Sequence, residues 1–425
     1  MDVTINNLSD VQCEAEFVLT DAELQPHFEQ AYKKFAPKVE IKGFRKGKVP
    51  LPMIKKIYGE AIEHDALDDI ANESFRSTMT ERNIEPIGRP TMTDIDFKRG
   101  EQFRFKVTYE IKPSVVLTKY KGITVEKPIH HVTEVEVNAE IERLQRANST
   151  MLPVTLVRDE GDHQITADVQ ELDETGTPLI GKKTKDARFY LADETLAPEI
   201  RDALKKAEVG AEYKVRFESQ HGDHSHKHHV ALAVKKIEKV ELPDFDDAFV
   251  KKVTDEKVTT KEEFLQNMRK DLEAYWADQS ERGVTDGLIR EIVQAHDVTV
   301  PESLVNAYLD TYVEDVKGRS RDKSLPKGFD EKKFRDENRG YAAYQAKWGL
   351  IRERIIAEEH LSVADEELEK LADSEAPLIG VSKEQLLQYY KGSGSTTERL
   401  LTTKLMTLLK TNAHITEKVI DEPAH

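Results

Sequence analysis

The sequence predicts a multidomain α+β protein: an N-terminal α/β domain, a small β-rich domain, and an elongated helical C-terminal domain with arms. Three observations lead there. Apolar residues alternate with period two near the N-terminus, as in half-buried strands, and short strand-like stretches recur between residues 150 and 245. From residue 246 they recur at the spacing of amphipathic helices. Finally, 425 residues of 34% charged and 38% apolar content suit small or elongated cores with much solvated surface better than one thick globule. The expected boundaries are 1–112, a linker strand and helix at 113–149, 150–245, and 246–425.

In the first domain, Val3 and Ile5, then Cys13, Ala15, Phe17 and Leu19, read as strands. Thr20-Asp21-Ala22-Glu23 opens a helix through a capping box, and Leu24, Phe28, Tyr32 and Phe35 follow at helical spacing until Pro37. Next comes Gly43-Phe44-Arg45-Lys46-Gly47-Lys48-Val49-Pro50. Between Lys33 and Lys56 there are nine Lys/Arg and one acid, Glu40, in a chain of formal charge −17. Two glycines and a proline exclude a helix interior, so this is a short basic loop with one aromatic, Phe44. A helical stretch starts at Pro52-Met53-Ile54, and a second runs from about Glu60 to Arg82. Pro86 to Pro90 reads as a turn, and Phe97 and Phe103 to Ile111 as a hairpin turned at Lys98-Arg99-Gly100.

Val115 to Val125 reads as extended, and Thr133-Glu134-Val135-Glu136 caps a helix carrying Val137, Ile141 and Leu144. In the middle domain, strands are expected at Gln164–Leu172, Arg188–Leu191, Tyr213–Phe217 and Val230–Val240, with a helix from Pro198 to Lys206 and a histidine-rich loop from His221 to His229. Beyond Pro243 helices dominate: one opened by Thr260-Lys261-Glu262-Glu263, one restarted at Val300-Pro301, and four more at about 341–360, 363–373, 382–391 and 396–411. Tyr308, Tyr312, Leu378 and Ile379 are candidates for exposed apolar contacts on these arms.

The acidic balance argues against a general nucleic-acid binder, which needs a positive surface. The single cysteine, Cys13, rules out an internal disulfide and a Cys-cluster metal site and fits a reducing compartment; its alternating context makes it a core residue. Met1 to Asn7 lacks the features of a signal peptide, and no apolar run approaches the ~20 residues of a membrane span. The expected localisation is cytoplasmic, with no membrane partner. Gly176 to Lys182 has the GxxxxGK spacing of a phosphate loop, but Lys183 stands where Ser or Thr is needed and a strand follows; a surface turn is the better account. His221, His224, His226, His228 and His229 are five of the fourteen histidines, dense enough to chelate a transition metal; the alternative is a polar loop. No HExxH or GxSxG motif occurs, and no cofactor is expected.

The Gly43–Pro50 segment resembles the GFRxGxxP signature of the trigger factor family, the bacterial ribosome-associated chaperones. Tyr58-Gly59, at the expected end of the next helix, the Pro86-Ile87-Gly88-Arg89-Pro90 turn, the Glu241-Leu242-Pro243 junction and the Val300-Pro301 helix start are similar to the family's, and the domain order covers the chain. The resemblance implies that Gly43, Phe44, Arg45, Lys46, Gly47, Lys48, Val49 and Pro50 dock on the large ribosomal subunit beside the exit tunnel, against a ribosomal protein and rRNA. It implies arms that shelter nascent and unfolded polypeptides without ATP, with links to protein export and cell division, and a homodimer off the ribosome.

It also implies an FKBP-type peptidyl-prolyl isomerase domain at 150–245, with departures. The family's Asp-Phe is Asp168-Val169, its Pro-Gly-Phe-Glu is Pro198-Glu199-Ile200-Arg201, and its Phe-Glu-Gly-Gly is Leu179-Ile180-Gly181-Lys182. Asp168, Val169, Phe189, Pro198 and Ile200 are the remaining pocket candidates. Twisting an amide needs a dry aromatic pocket, so weak or absent isomerase activity is expected. Two alternatives stay open: a prolyl isomerase with substrate-binding arms, and a non-catalytic cytosolic scaffold for assembling proteins.

Overall fold

The computed structural model describes residues 1–41, 44–45, 47–158, 162–193, 195–221 and 224–420; at 219–221 and 224–227 it describes the backbone only. The elements are β1 (Asp2–Asn7), β2 (Gln12–Thr20), α1 (Asp21–Phe35), α2 (Leu51–Glu81), β3 (Pro86–Lys98), β4 (Gln102–Ile111), β5 (Thr124–Ile129), α3 (Glu134–Ala147), β6 (Thr150–Val154), β7 (His163–Leu172), β8 (Pro178–Tyr190), α4 (Pro198–Leu204), β9 (Glu212–His221), β10 (His224–Glu241), α5 (Asp247–Val253), α6 (Lys261–Ala295), α7 (Glu302–Gly318), α8 (Glu331–Glu358), α9 (Asp365–Ile379), α10 (Lys383–Gly392), α11 (Gly394–Thr411) and β11 (His414–Val419). By contact the chain forms two units: Met1–Lys127 with Glu281–Lys418, and Pro128–Ser280 with the residues from Val419.

In the first unit an antiparallel sheet of order β1-β2-β4-β3 carries α1 and α2. The period-two pattern puts Ala15, Phe17 and Leu19 of β2, and Phe103, Phe105 and Val107 of β4, on the covered face. Phe105 stacks on Phe17 and on Phe103, both at 4.8 Å between ring centres. The capping box holds: Glu23 accepts the Thr20 amide at 2.9 Å.

Two expectations fail here. The stretch from Pro52 to Arg82 is one helix of 31 residues, so Gly59 lies inside it and does not end it. A single glycine costs only about 1 kcal/mol in a helix, which the packing of Ile54, Ile62, Leu67 and Ile70 on one face outweighs. Nor is Pro86 to Pro90 a turn. It is the irregular start of β3, where the pairing with β4 slips between Ile87 and Thr91 and Gly88 takes φ +69°. That kink meets the start of α7: a Cβ on Gly88 would lie 2.4 Å from the Ser303 Cβ. Beside it, Glu110 of β4 accepts the first-turn amides of Ser303 at 2.8 Å and Glu302 at 3.2 Å, satisfying donors that a helix leaves open.

The helical part of this unit packs Val115, Ile123 and Val125 against Leu288 and Ile292 of α6, Ile351 and Ile355 of α8, and Leu405 of α11. His296 is buried there; its Nδ1 meets the Ile292 carbonyl at 2.6 Å while its Nε2 accepts the Thr118 amide at 3.0 Å. Residues 115–123 lie outside any strand; regular pairing starts at Thr124, with β11 as partner. The sequence reading had no β11. Its residues are exposed, so no burial pattern marks it. The four late helices start or end up to ten residues away from their expected limits, α8 opening at Glu331 behind the Asp330 cap.

In the second unit β6-β10-β7-β8 form an antiparallel sheet, with β9 also on β10. Ile165, Ala167, Leu204, Leu232 and Ile237 make its core, to which α4 contributes. The strands outrun their expected limits, and the histidine segment is not a separate loop: His221 ends β9 and His224 to His229 begin β10, paired as a hairpin. Residues 178–190 form β8, so no helix follows the Gly176 turn. The capping box of α3 is present, Thr133 accepting the Glu136 amide at 3.3 Å. No helix among the described residues is long and apolar enough to cross a membrane.

Candidate functional site

The basic loop is built from its feet upward. After α1 a 3-10 turn, Ala36–Lys38, leads to Val39. Val39 and Val49, the two feet, are both buried in the sheet–helix core, and Ile41 packs against it. The Gly47 amide donates to the Val39 carbonyl at 3.2 Å and ties the feet together. Gly47 takes φ +75°, and an added Cβ would lie 3.1 Å from the Pro37 carbonyl oxygen, so a side chain is excluded twice. Phe44 donates to Ile41 at 3.0 Å and Lys48 to Arg45 at 2.9 Å, closing successive turns. Pro50 caps α2, its carbonyl accepting the Met53 amide at 2.9 Å. Gly43 and Lys46 lie outside the described residues.

What the loop presents is an exposed Phe44 (40%) with exposed Arg45 and Lys48. Lys34 and Lys55 reach toward Asp69 and Glu29. Lys33, Lys38, Arg45, Lys48 and Lys56 have no carboxylate within salt-bridge distance among the described residues. Cations without a carboxylate partner among the described residues, in the loop beside an aromatic and on the elements that flank it, suit an anionic partner surface.

Between α1, α2 and the β3–β4 turn stands a polar cluster that sequence reasoning missed. Glu63 of α2, 7% exposed, accepts the Tyr32 hydroxyl of α1 and Nε and Nη2 of Arg99, at 2.6 and 3.2 Å, from the β3–β4 turn. Lys55 lies 5.0 Å over the Tyr32 ring. Burial, reinforced by Glu63, pushes the Tyr32 hydroxyl up to about 12. Gly59 makes room: a Cβ there would lie 2.9 Å from Arg99 Nη2 and 3.3 Å from the Tyr32 hydroxyl. The available signal was a glutamate, Glu63, on the apolar face of α2 between Ile62 and Ala66.

The pocket candidates of the second unit do not all meet. Val169, Phe189 and Ile200 reach one core, and Pro198 opens α4 over it. Asp168 precedes Val169 on β7 and so faces the other side of the sheet. There it accepts Lys235 Nζ at 2.6 Å, Lys183 Nζ at 3.1 Å and the Asp186 amide at 3.1 Å. The Lys235 hydrogen bond leads the effects that hold its carboxyl well below the ordinary 3.8. Ile180 is fully exposed on the β7–β8 hairpin and Leu179 is exposed beside it; neither belongs to that core.

Of the histidines, His228 stacks on Phe217 at 4.9 Å, and His229 meets the Asp173 carbonyl through Nδ1 at 2.9 Å. Adjacent on β10, they project to opposite faces. The side chains of His221, His224 and His226 lie outside the description. On the helical part Tyr308 and Tyr312 are half-buried against α8, whereas Leu378 (86%) and Ile379 (59%) are exposed at the end of α9. Tyr341 and Tyr389 are exposed as well.

Comparison with known proteins adds to this geometry. The family model described as bacterial trigger factor protein (TF) matches residues 1–144, and the model of its C-terminus matches residues 260–411. The trigger factor of Salinibacter ruber is 31% identical over 408 residues, covering 92% of this chain and 88% of that protein. The chain belongs to the trigger factor family. The trigger factor of Chlorobaculum tepidum is 29% identical over 433 residues, covering both chains fully (100% each). A solved structure, described as "Promiscuous Substrate Recognition in Folding and Assembly Activities of the Trigger Factor Chaperone", superposes with a TM-score of 0.51 at 22% identity, over 97% of this chain and 99% of that one. That likeness shows the fold: N-terminal α/β, β-rich middle and helical C-terminal parts in the trigger factor order. The basic loop lies inside the first matched segment, and α6 to α11 inside the second.

Proposed function

We propose that this chain is an ATP-independent chaperone that docks by its basic loop on the large ribosomal subunit beside the exit tunnel, against a ribosomal protein and rRNA, and holds emerging chains on its helical part. Membership of the family supports the chaperone role on nascent polypeptides at the ribosome. The observation that carries the docking reading is the loop. Its feet are fixed in the core at Val39 and Val49, and its tip presents Phe44 with Arg45 and Lys48, neither of which has a carboxylate partner among the described residues, in a chain of charge −17. Pre-organisation lowers the ordering cost of binding. In this reading residues 1–112 dock, 113–149 link, 150–245 form an FKBP-like domain and 246–425 cradle clients, with Leu378 and Ile379 among the contacts. The protein works in the cytoplasm, partly on ribosomes, and pairs into a homodimer off them.

The test is the triple substitution Phe44→Ala, Arg45→Ala, Lys46→Ala. The three positions fall within the Gly43–Pro50 segment and the described Phe44 and Arg45 are exposed, so the fold stays intact and co-sedimentation with ribosomes is lost; retained binding refutes the docking role.

A second reading, a working prolyl isomerase, is disfavoured by the exposed Leu179-Ile180 hairpin and by Asp168, held by two lysines on the sheet face away from Val169, Phe189 and Ile200. A proline-peptide isomerisation assay with the full chain should give a rate far below that of intact FKBP domains, and an equal rate would restore that reading.

A further inference from the structure

We infer that the docking surface does not end with the loop but continues onto the outward face of the first three turns of α2, and that this extension seats against a protein rather than against RNA. The inference rests on the docking reading above.

The chain runs from the loop directly into Leu51, the first residue of α2. In these turns the inward positions Ile54 and Ile62 are buried. An ordinary surface helix would carry polar residues on the other side. Here the exposed side holds, beside Lys56 and Glu60, a stripe of Met53, 39% exposed, Ile57, 51% exposed, and exposed Ala61, spaced four apart and therefore neighbours. Leu51 is exposed at the start of the same stretch.

The apolar character stops where the helix leaves the loop. The next exposed residues are His64, Asp65, Asp68, Asp69 and Asn72. α2 thus exposes large aliphatic side chains only at the end that carries the loop. Long exposed aliphatic side chains grouped at a docking end mark an interaction surface.

The chemistry of the patch selects the partner. Phosphate and sugar are read by cations, amides and hydroxyls, and an aliphatic Met or Ile side chain gains nothing from them. Both gain from an apolar side chain on a protein. The rim is cationic: Lys48 precedes α2 and Lys56 adjoins Ile57, both exposed and without a carboxylate partner among the described residues. Glu60 is the acid that shares these turns. The complementary surface is an apolar patch bordered by carboxylates, on a protein component of the large ribosomal subunit.

The experiment compares three full-length chains: unmodified, Met53→Gln with Ile57→Gln, and the triple alanine loop variant. Glutamine keeps helix propensity, and circular dichroism and the urea midpoint verify the fold. Affinity for isolated large subunits is measured at several salt concentrations, together with affinity for protein-free ribosomal RNA and sedimentation of the free chains. The expected result is about a tenfold loss for the glutamine variant on subunits, an ordinary size for removing central interface contacts, with the slope of log K against log salt unchanged and RNA binding unchanged. Full affinity in the glutamine variant with loss in the loop variant overturns the extension and leaves the docking reading standing. Full affinity in both overturns the docking reading. An equal loss on protein-free RNA overturns the protein partner, and a loss of self-association with intact subunit binding assigns the face to a second copy of the chain and also overturns the proposal.

Discussion

Gly88→Ala tests how the N-terminal sheet holds the helical part of its own unit. Gly88 takes φ +69°, a conformation that costs an L-residue about 1–2 kcal/mol. The added Cβ would stand 2.4 Å from the Ser303 Cβ, whereas carbon atoms rest at about 3.5–4.0 Å, so the start of α7 must retreat by about 1 Å. The carboxylate of Glu110 now accepts the Ser303 and Glu302 amides at 2.8 and 3.2 Å, and a retreat of that size takes the longer bond out of range. A hydrogen bond to a charged group contributes about 1.5–3 kcal/mol, so the local loss is about 3 kcal/mol, or about a hundredfold in the opening equilibrium. Amide hydrogen exchange reads it directly: exchange at Ser303 and along the first turn of α7 should quicken by about that factor, while the core around Phe17 and Phe105 keeps its protection. Adding Ser303→Gly removes the opposing Cβ and should restore the steric part but not the backbone part. Unchanged exchange at Ser303 in the single variant would refute the reasoning.

The Tyr32–Glu63–Arg99 cluster gives a second prediction. Arg99→Ala leaves the buried Glu63 carboxylate with Tyr32 alone; breaking a buried pair costs about 3–5 kcal/mol, and because Arg99 is half exposed the expected loss is nearer to about 2 kcal/mol. Urea unfolding should show Arg99→Ala with Glu63→Gln less destabilised than the sum of the single variants, and strict additivity would mean that no cluster exists. The third concerns acid. Asp168 is held below its ordinary 3.8 chiefly by Lys235, and Glu281 is lowered from 4.5 to about 2 by Lys127 and then Lys410. Depressed carboxyls contribute stability above their unfolded values and lose it as pH falls toward the folded ones. The unfolding midpoint should therefore drop between about pH 4.5 and 2, with a shallower drop in Asp168→Asn and in Glu281→Gln; the same slope in both variants as in the parent excludes the assignment.

Local signals in the sequence were legible where the local physics is decisive. The capping boxes at Thr20 and Thr133 start α1 and α3 as expected, because the cap is made by residues three apart. The alternation of Phe103, Phe105 and Val107 places β4 correctly, because burial on one face leaves a period of two. Element limits were less legible. Gly59 looks like a stop, yet α2 runs through it because packing from Ile54 to Ile70 and the approach of Arg99 and Tyr32 use that gap. The Pro86–Pro90 segment has the residues of a turn, yet it is a strand whose pairing with β4 slips, and Gly88 within it faces Ser303, more than two hundred positions away. β11 carries no burial pattern and exists by pairing with β5.

The sequence by itself determined the order of the parts, the basic loop and its charge, and the family, since these depend on composition, short spacing and motif. The tertiary structure decided everything that needs two distant segments at once: the feet of the loop locked through Gly47 and Val39, Glu63 satisfied by Tyr32 and Arg99, Asp168 turned away from Val169 and Ile200 onto Lys183 and Lys235, and Glu110 closing the start of α7. A buried charge gives no local sign of its partner. Its cost depends on which group from elsewhere in the chain arrives to meet it, and only the folded chain fixes that.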